Sequence, residues 1–178
     1  NFVMVYGWLG CHSPETFSTL CTPSELASTI KTNYILMEHL QGSSFFDYIK
    51  SLPVEPGKDF ELLCGIAQLA LGLGYAQNRK KFTNYDLHTK TVVVSPNATP
   101  KFYEYQIGRE RYVVAAPYTS VITDYHISHT PGLTSYPHDP SRYAVGQTTD
   151  RYKKTADVFT FLINTLVVLA ATNKRFLT

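Results

Sequence analysis

Cysteine is scarce in this chain, and its three cysteines do not form the closely spaced pairs of zinc or redox motifs. Cys11, Cys21 and Cys64 lie far apart, and Cys64 falls on the apolar face of a predicted helix. We therefore expect free thiols and a reducing compartment. The histidines are spaced too irregularly for a zinc site.

An excess of charge of one sign is also lacking, because the formal net charge is only +2. Such a small charge gives no reason to expect nucleic acid or a membrane surface as a partner. The longest apolar run, residues 158–171, contains polar interruptions and is too short to cross a bilayer, so we predict a buried helix from Asp157 to about Ala171. The length of 178 residues predicts about one domain, or one lobe of a larger one. Since the chain opens with Asn1 and a predicted strand, we expect it to be part of a longer protein.

The first half of the chain predicts two strands followed by two helices. The strands cover residues 2–7 and 33–38, and Ser43 or Ser44 can cap a helix that runs to about residue 50. Asp59 is the predicted cap of a long helix. The apolar residues of this helix recur at helical spacing and are Leu62, Leu63, Ile66, Leu69, Leu73 and Ala76. Its glycines each cost about 1 kcal/mol relative to alanine, which predicts close approach by a neighbouring backbone. They are Gly65, Gly72 and Gly74.

The second half predicts short strands, a polar loop and the final helix. Gly108 marks a turn between the middle two of four β runs. These runs cover residues 91–95, 101–105, 111–115 and 119–124. Residues 130–150 are rich in proline, glycine, serine and tyrosine, and they predict a loop. Helices and strands together predict an α+β fold.

Two acidic residues stand at the ends of predicted strands, where a rigid scaffold can present them to a ligand. Asp86 lies in Asn84-Tyr85-Asp86-Leu87-His88, a polar turn before a β-branched strand. Asp124 follows the apolar run Val121-Ile122. Two carboxylates so placed suit one proton acceptor and one metal ligand. The alternative is that each is an ordinary turn residue.

These segments resemble the catalytic loop H-R-D-L-x-x-x-x-N and the metal motif D-F-G of protein kinases. Thr91 stands at the asparagine position, and residues 34–49 resemble the fifth strand, the hinge and the following helix. The sequence is rich in tyrosine and most resembles the divergent serine/threonine-kinase-like proteins of large DNA viruses. The resemblance implies a protein kinase-like fold that is mainly the helical large lobe, with an inserted β hairpin. Residues 1–40 would be the end of the small lobe and the hinge, and residues 41–178 a truncated large lobe.

The resemblance also implies roles for individual residues. Asp86 would accept the proton of a substrate hydroxyl, and His88 would replace the lysine that neutralises the transferring phosphoryl group. Asp124 would hold Mg²⁺, with Thr91 as a poorer second ligand. Asp157 would accept backbone N–H bonds from the catalytic loop instead of only capping its helix. The residues implied to bind ATP are Met37, Glu38, His39, Leu40, Ser44 and Val93.

Kinase chemistry also needs a glycine-rich phosphate loop, a strand lysine and a helix glutamate, none of which is found in this sequence. We therefore expect the chain alone to be nearly inactive, with the small lobe supplied by residues outside it. Three functions stay open. They are a kinase-like phosphotransferase acting on serine or threonine of a protein, a non-catalytic pseudokinase that binds virion or host proteins, and a small-molecule kinase of the aminoglycoside or choline type. The expected location is the host cytoplasm or the virion.

Overall fold

A computed structural model describes residues 1–11, 32–125, 128–132 and 153–172. The chain divides into two compact units, Val3–Leu40 and Asn1–Phe2 with Gln41–Thr178. The assignment of the two units to kinase lobes stays a prediction. Most of the predicted loop at residues 130–150 lies outside the described residues, as do the side chains of Cys11 and Cys21.

The smaller unit contains a two-stranded antiparallel sheet. Strand β1 (Val5–Cys11) pairs with β2 (Thr32–Met37), and the register shifts between Val5 and Gly7. The prediction that the first strand covers residues 2–7 and ends at Gly7 was wrong, because this irregularity accommodates the glycine within the strand. Beyond the paired residues, Met4 O accepts a hydrogen bond from Glu38 N at 2.9 Å, and Met4 N donates to Glu38 Oε1 at 2.8 Å.

Two helices begin the larger unit after the short strand β3 (Ser43–Ser44). Helix α1 (Phe45–Ser51) has the predicted cap, since Ser44 Oγ accepts a hydrogen bond from Asp47 N at 3.0 Å. Helix α2 (Lys58–Lys80) starts after Gly57, whose φ of 87° is left-handed. The prediction that Asp59 caps α2 was wrong, because the turn at Gly57 lets the helix begin one residue before Asp59.

The glycines of α2 lie where other residues approach the helix closely. A Cβ at Gly65 would lie 2.8 Å from Tyr118 Oη, and one at Gly74 would lie 2.9 Å from Ile107 Cδ1. A Cβ at Gly72 would meet the Asn1 side chain at 3.0 Å. Neighbours do approach closely at all three glycines, but the prediction of a neighbouring backbone was wrong, because side chains make the approach. The exception to the predicted apolar face is Leu63, which is 54% exposed.

A three-stranded antiparallel sheet lies in the order β3, β4 (Val92–Ile107) and β5 (Glu110–Ile122). The four predicted β runs are thus two long strands, because a register shift between Pro96 and Lys101 carries the chain past its prolines without leaving the sheet. The turn at Gly108, whose φ is 62°, is confirmed. Val92 pairs with Ile122, so β4 begins beside the end of β5.

Helix α3 (Ala156–Ala171) packs one face on the hydrophobic core, where the Phe161 and Phe45 rings lie 5.2 Å apart between centroids. The prediction that it is buried on most sides was wrong, because only this face packs on the core. The apolar residues exposed on the other side are Phe159, Leu162, Ile163, Leu166 and Val167. None of the helices in the described residues is long and apolar enough to cross a membrane.

Cys64 in α2 is buried and carries a free thiol, as predicted. Burial raises its pKa above the ordinary value for cysteine, and the nearby Glu61 carboxylate adds to this effect. The thiol is therefore poorly suited to act as a nucleophile.

Candidate active site

The segment Asn84–Thr91, called the acidic loop below, connects α2 to β4. Two left-handed residues turn the chain before Asp86: Lys81, with φ of 52°, ends α2, and Tyr85 has φ of 67°. Between them, Thr83 exchanges backbone hydrogen bonds with His129 at 3.0 and 2.7 Å. The loop thus begins from a fixed point beside the chain that follows β5.

Asn84 connects the backbones of the two candidate acids. Its side-chain amide donates to Asp124 O at 2.6 Å, and its Oδ1 accepts from Asp86 N at 3.0 Å. The same amide lies 3.3 Å from Ser128 Oγ. Asn84 is fully buried, whereas Asp86 and Asp124 are half-buried. A single rigidly held side chain therefore fixes the peptide groups of both acids relative to each other.

Thr91 holds the acidic loop in a tight turn. Its hydroxyl accepts from His88 N at 3.1 Å and donates toward Asp86 O and His88 O at 3.1 and 3.0 Å. Its carbonyl accepts from both Thr123 N and Thr123 Oγ1, at 3.0 and 3.1 Å. Thr91 therefore joins the turn to the residue before Asp124. Its predicted role as a metal ligand stays a prediction.

His88, the predicted replacement for the phosphate-neutralising lysine, is half-buried within the same turn. Its Nδ1 accepts a hydrogen bond from Lys90 N at 3.2 Å. A neutral ring bonded in this way carries its proton on Nε2. His88 could therefore donate a hydrogen bond from Nε2, but its catalytic role stays a prediction.

Asp157 on α3 holds the start of the acidic loop. Its carboxylate accepts from Asn84 N at 2.7 Å and from Tyr85 N at 2.9 Å, which confirms the prediction that it binds the loop backbone. Burial raises the pKa of Asp157 above that of an ordinary aspartate, although the two N–H donors act in the opposite direction.

Sequence reasoning missed a second contact from α3 to the loop. Asn164 Oδ1 accepts from Thr89 N at 3.0 Å and from Thr89 Oγ1 at 2.7 Å. In the sequence Asn164 is only an interruption of the apolar run. The spacing of Asn164 from Asp157 could have indicated this contact. Asn164 lies about two helical turns beyond Asp157, and therefore on the same face of the helix.

The residues implied to bind ATP fall in both compact units. Ser44 and Val93 are brought together, since they are partners across β3 and β4. The Ser44 hydroxyl donates to Asp47 Oδ2 at 2.6 Å, and Glu38 Oε1 accepts from Met4 N as described above. The pocket that would bind the nucleotide stays a prediction. Its members in the smaller unit are Met37, Glu38, His39 and Leu40.

No cluster of three or more histidine, cysteine, aspartate or glutamate residues that could hold a metal is found among the described residues. Mg²⁺ at a phosphoryl-transfer site uses one or two carboxylates, with the remaining positions filled by water and substrate phosphates. The pair Asp86 and Asp124 fits that requirement in residue type. The implied Mg²⁺ therefore needs no larger protein cluster.

No protein-family model matches the chain. The chain is similar to a protein of Invertebrate iridescent virus 3 described as probable kinase 098L, with 30% identity over 109 residues. The similar region is 60% of this chain and 20% of the viral protein, so the match spans about a fifth of the relative's length. This weak similarity supports a kinase-like relationship.

Proposed function

We propose that this chain is the acid-bearing part of a divergent protein kinase-like phosphotransferase, which transfers a phosphoryl group from ATP to a serine or threonine hydroxyl. The observation that carries the proposal is the Asn84 bridge from Asp86 N to Asp124 O. Phosphoryl transfer depends on positioning and electrostatics, so a fixed relation between a proton acceptor and a metal ligand is what the chemistry requires.

In this mechanism the two acids have different tasks. Asp86 would orient the substrate hydroxyl and accept its proton, while Asp124 would hold the Mg²⁺ that neutralises charge on the nucleotide phosphates. His88 donates a hydrogen bond toward the transferring group. The glycine-rich loop and the lysine come from residues outside this chain, and the substrate is a protein of the virion or the host cytoplasm.

A non-catalytic role is the second candidate, and one observation favours it. The Thr91 hydroxyl, which stands where a kinase has its second metal ligand, makes its hydrogen bonds to the loop backbone. A pseudokinase could keep the acidic loop as a rigid scaffold and use it to bind virion or host proteins.

The test is phosphoryl transfer from Mg²⁺-ATP to a generic serine/threonine substrate by the full-length protein that contains this chain. Asp86→Asn should retain nucleotide binding in calorimetry and lose about 10²- to 10⁴-fold in turnover, the usual worth of a general base. Asp124→Asn should instead weaken the Mg²⁺-dependent part of nucleotide binding. Asp59→Asn, in the first turn of α2, is the matched control and should change neither quantity.

Two results would contradict the proposal. A full-length protein that neither binds Mg²⁺-ATP nor transfers phosphate is not a phosphotransferase, and the interaction role would then stand. Tight Mg²⁺-dependent nucleotide binding by the 178-residue chain alone would contradict the expectation that further residues complete the site.

A further inference from the structure

Helix α3 contacts the acidic loop on both sides of Asp86. Asp157 accepts the two N–H groups at the loop start, and Asn164 accepts both donors of Thr89, three residues after Asp86. The first contact was expected from the kinase resemblance. The second contact is a separate observation, made by a neutral side chain two turns further along the helix.

We propose that Asn164 is a positioning residue, which holds the second half of the acidic loop so that Asp86 and His88 keep their orientation toward a ligand. This inference rests on the proposed function, because the group it positions is the candidate proton acceptor. Asn164 itself touches no reacting atom.

Thr89 is buried, so its two donor groups depend on Asn164. Thr89 is 1% exposed, so its N–H and hydroxyl groups cannot exchange their partner for water without opening the structure. The Asn164 carbonyl oxygen has two lone pairs and serves both donors at 3.0 and 2.7 Å. Losing this acceptor leaves two buried donors unsatisfied, which destabilises this conformation of the loop.

Thr89 lies within the turn that carries both candidate groups, Asp86 and His88. The Thr91 hydroxyl closes the segment from Asp86 to Thr91 through Asp86 O, His88 N and His88 O. Thr89 lies inside that closed segment, and its carbonyl accepts from Phe46 N of α1 at 3.0 Å. A shift of Thr89 toward solvent would therefore move the peptide groups on either side of Asp86 and His88.

A role in helix packing alone gives different expectations. Removing a packing contact would lower the melting temperature without changing turnover at temperatures where the protein is folded. Removing a positioning contact lowers turnover in the folded protein and exposes the loop amides, because a misplacement of about 1 Å can cost about 10²-fold in rate.

The experiment measures the full-length protein and three variants by two independent readouts. The readouts are kcat and KM for Mg²⁺-ATP, and amide hydrogen exchange of the peptide that contains residues 86–91. Asn164→Ala should lower kcat by about 10- to 100-fold at an unchanged KM and speed the exchange by about tenfold. Asn164→Asp keeps an acceptor oxygen at this position, so its kcat and its exchange rate should stay close to those of the wild type. Ile163→Ala, on the exposed side of α3, is the control and should match the wild type.

Unchanged exchange and unchanged kcat in Asn164→Ala would overturn the proposal, as would equal losses in Ile163→Ala. If the wild type transfers no phosphate, the proposed function fails, and the exchange readout alone decides whether Asn164 holds the loop. Should Asn164→Ala not fold, Thr89→Val removes only the hydroxyl donor and Thr89→Ser retains it. Faster exchange in the first variant and not in the second supports the proposal, and equal exchange overturns it.

Discussion

Both faces of α3 carry apolar residues, and the buried face carries polar residues as well. The buried face carries Asp157 and Thr165, and half-buried Asn164 contacts the acidic loop. The opposite side exposes large apolar residues, among them Phe159 and Leu166, which is 60% exposed. Each inward polar group has a partner, as in Thr165, whose hydroxyl donates to Phe161 O at 2.8 Å. Hydrophobicity alone therefore does not decide which residues of this helix are buried.

The largest effect should separate two phenylalanines of the same helix. Phe161 is 2% exposed and Phe159 is 65% exposed. Phe161→Ala should lower the free energy of unfolding by about 3–5 kcal/mol, because it leaves a cavity against Phe45. Phe159→Ala should change it by less than about 0.5 kcal/mol. Urea unfolding followed by circular dichroism measures both, and similar losses would contradict the assigned faces.

Asp157→Asn should have the next largest effect, about 2 kcal/mol, because an amide can accept only one of the two loop N–H bonds well. The pH dependence has a defined sign. Since the folded pKa of Asp157 is raised, its stabilising contribution is present below the ordinary aspartate pKa of about 3.9 and is lost as the pH rises through the folded pKa. The stability gap between wild type and variant should therefore narrow as the pH rises. A gap that widens in urea titrations, or one matched by Asp59→Asn, would contradict this assignment.

The smallest effect should separate two adjacent valines. Val168 is 6% exposed, and Val168→Ala should cost about 1.5 kcal/mol for its two buried methyl groups. Val167 is 59% exposed, and alanine there should be neutral or slightly stabilising because alanine has the higher helix propensity. Thermal unfolding of the two variants side by side would show the difference. Equal melting temperatures would mean that both valines are equally exposed.

Features set by local chemistry could be predicted from the sequence. The Ser44 cap, the turn at Gly108 and the close contacts at Gly65 each follow from one residue type and its immediate neighbours. The Asp157 contact required more, since only the kinase resemblance connected an acid at a helix start with a loop about 70 residues earlier.

Features that depend on distant partners could not be predicted in the same way. The composition of α3 gives a high hydrophobicity all around the helix, so no pattern indicates which face packs on the core. Asn164 interrupts that apolar run, but nothing in the sequence indicates that Thr89 is its hydrogen-bond partner. The four β runs join into two strands because β4 and β5 pair across the segment Pro96–Lys101, and such pairing is not visible within either strand alone.

The contacts between α3 and the acidic loop also determine when the site can form. They join residues that are 72 to 75 positions apart in the chain. Bringing distant residues together costs loop-closure entropy before their contacts stabilise the fold, so such contacts form late. The β4–β5 hairpin pairs neighbours in sequence and can form early. During synthesis Asp86 leaves the ribosome well before Asn164. Until α3 follows, the loop lacks the acceptors that Asp157 and Asn164 supply. The candidate acids therefore gain part of their order from a helix that is made after them.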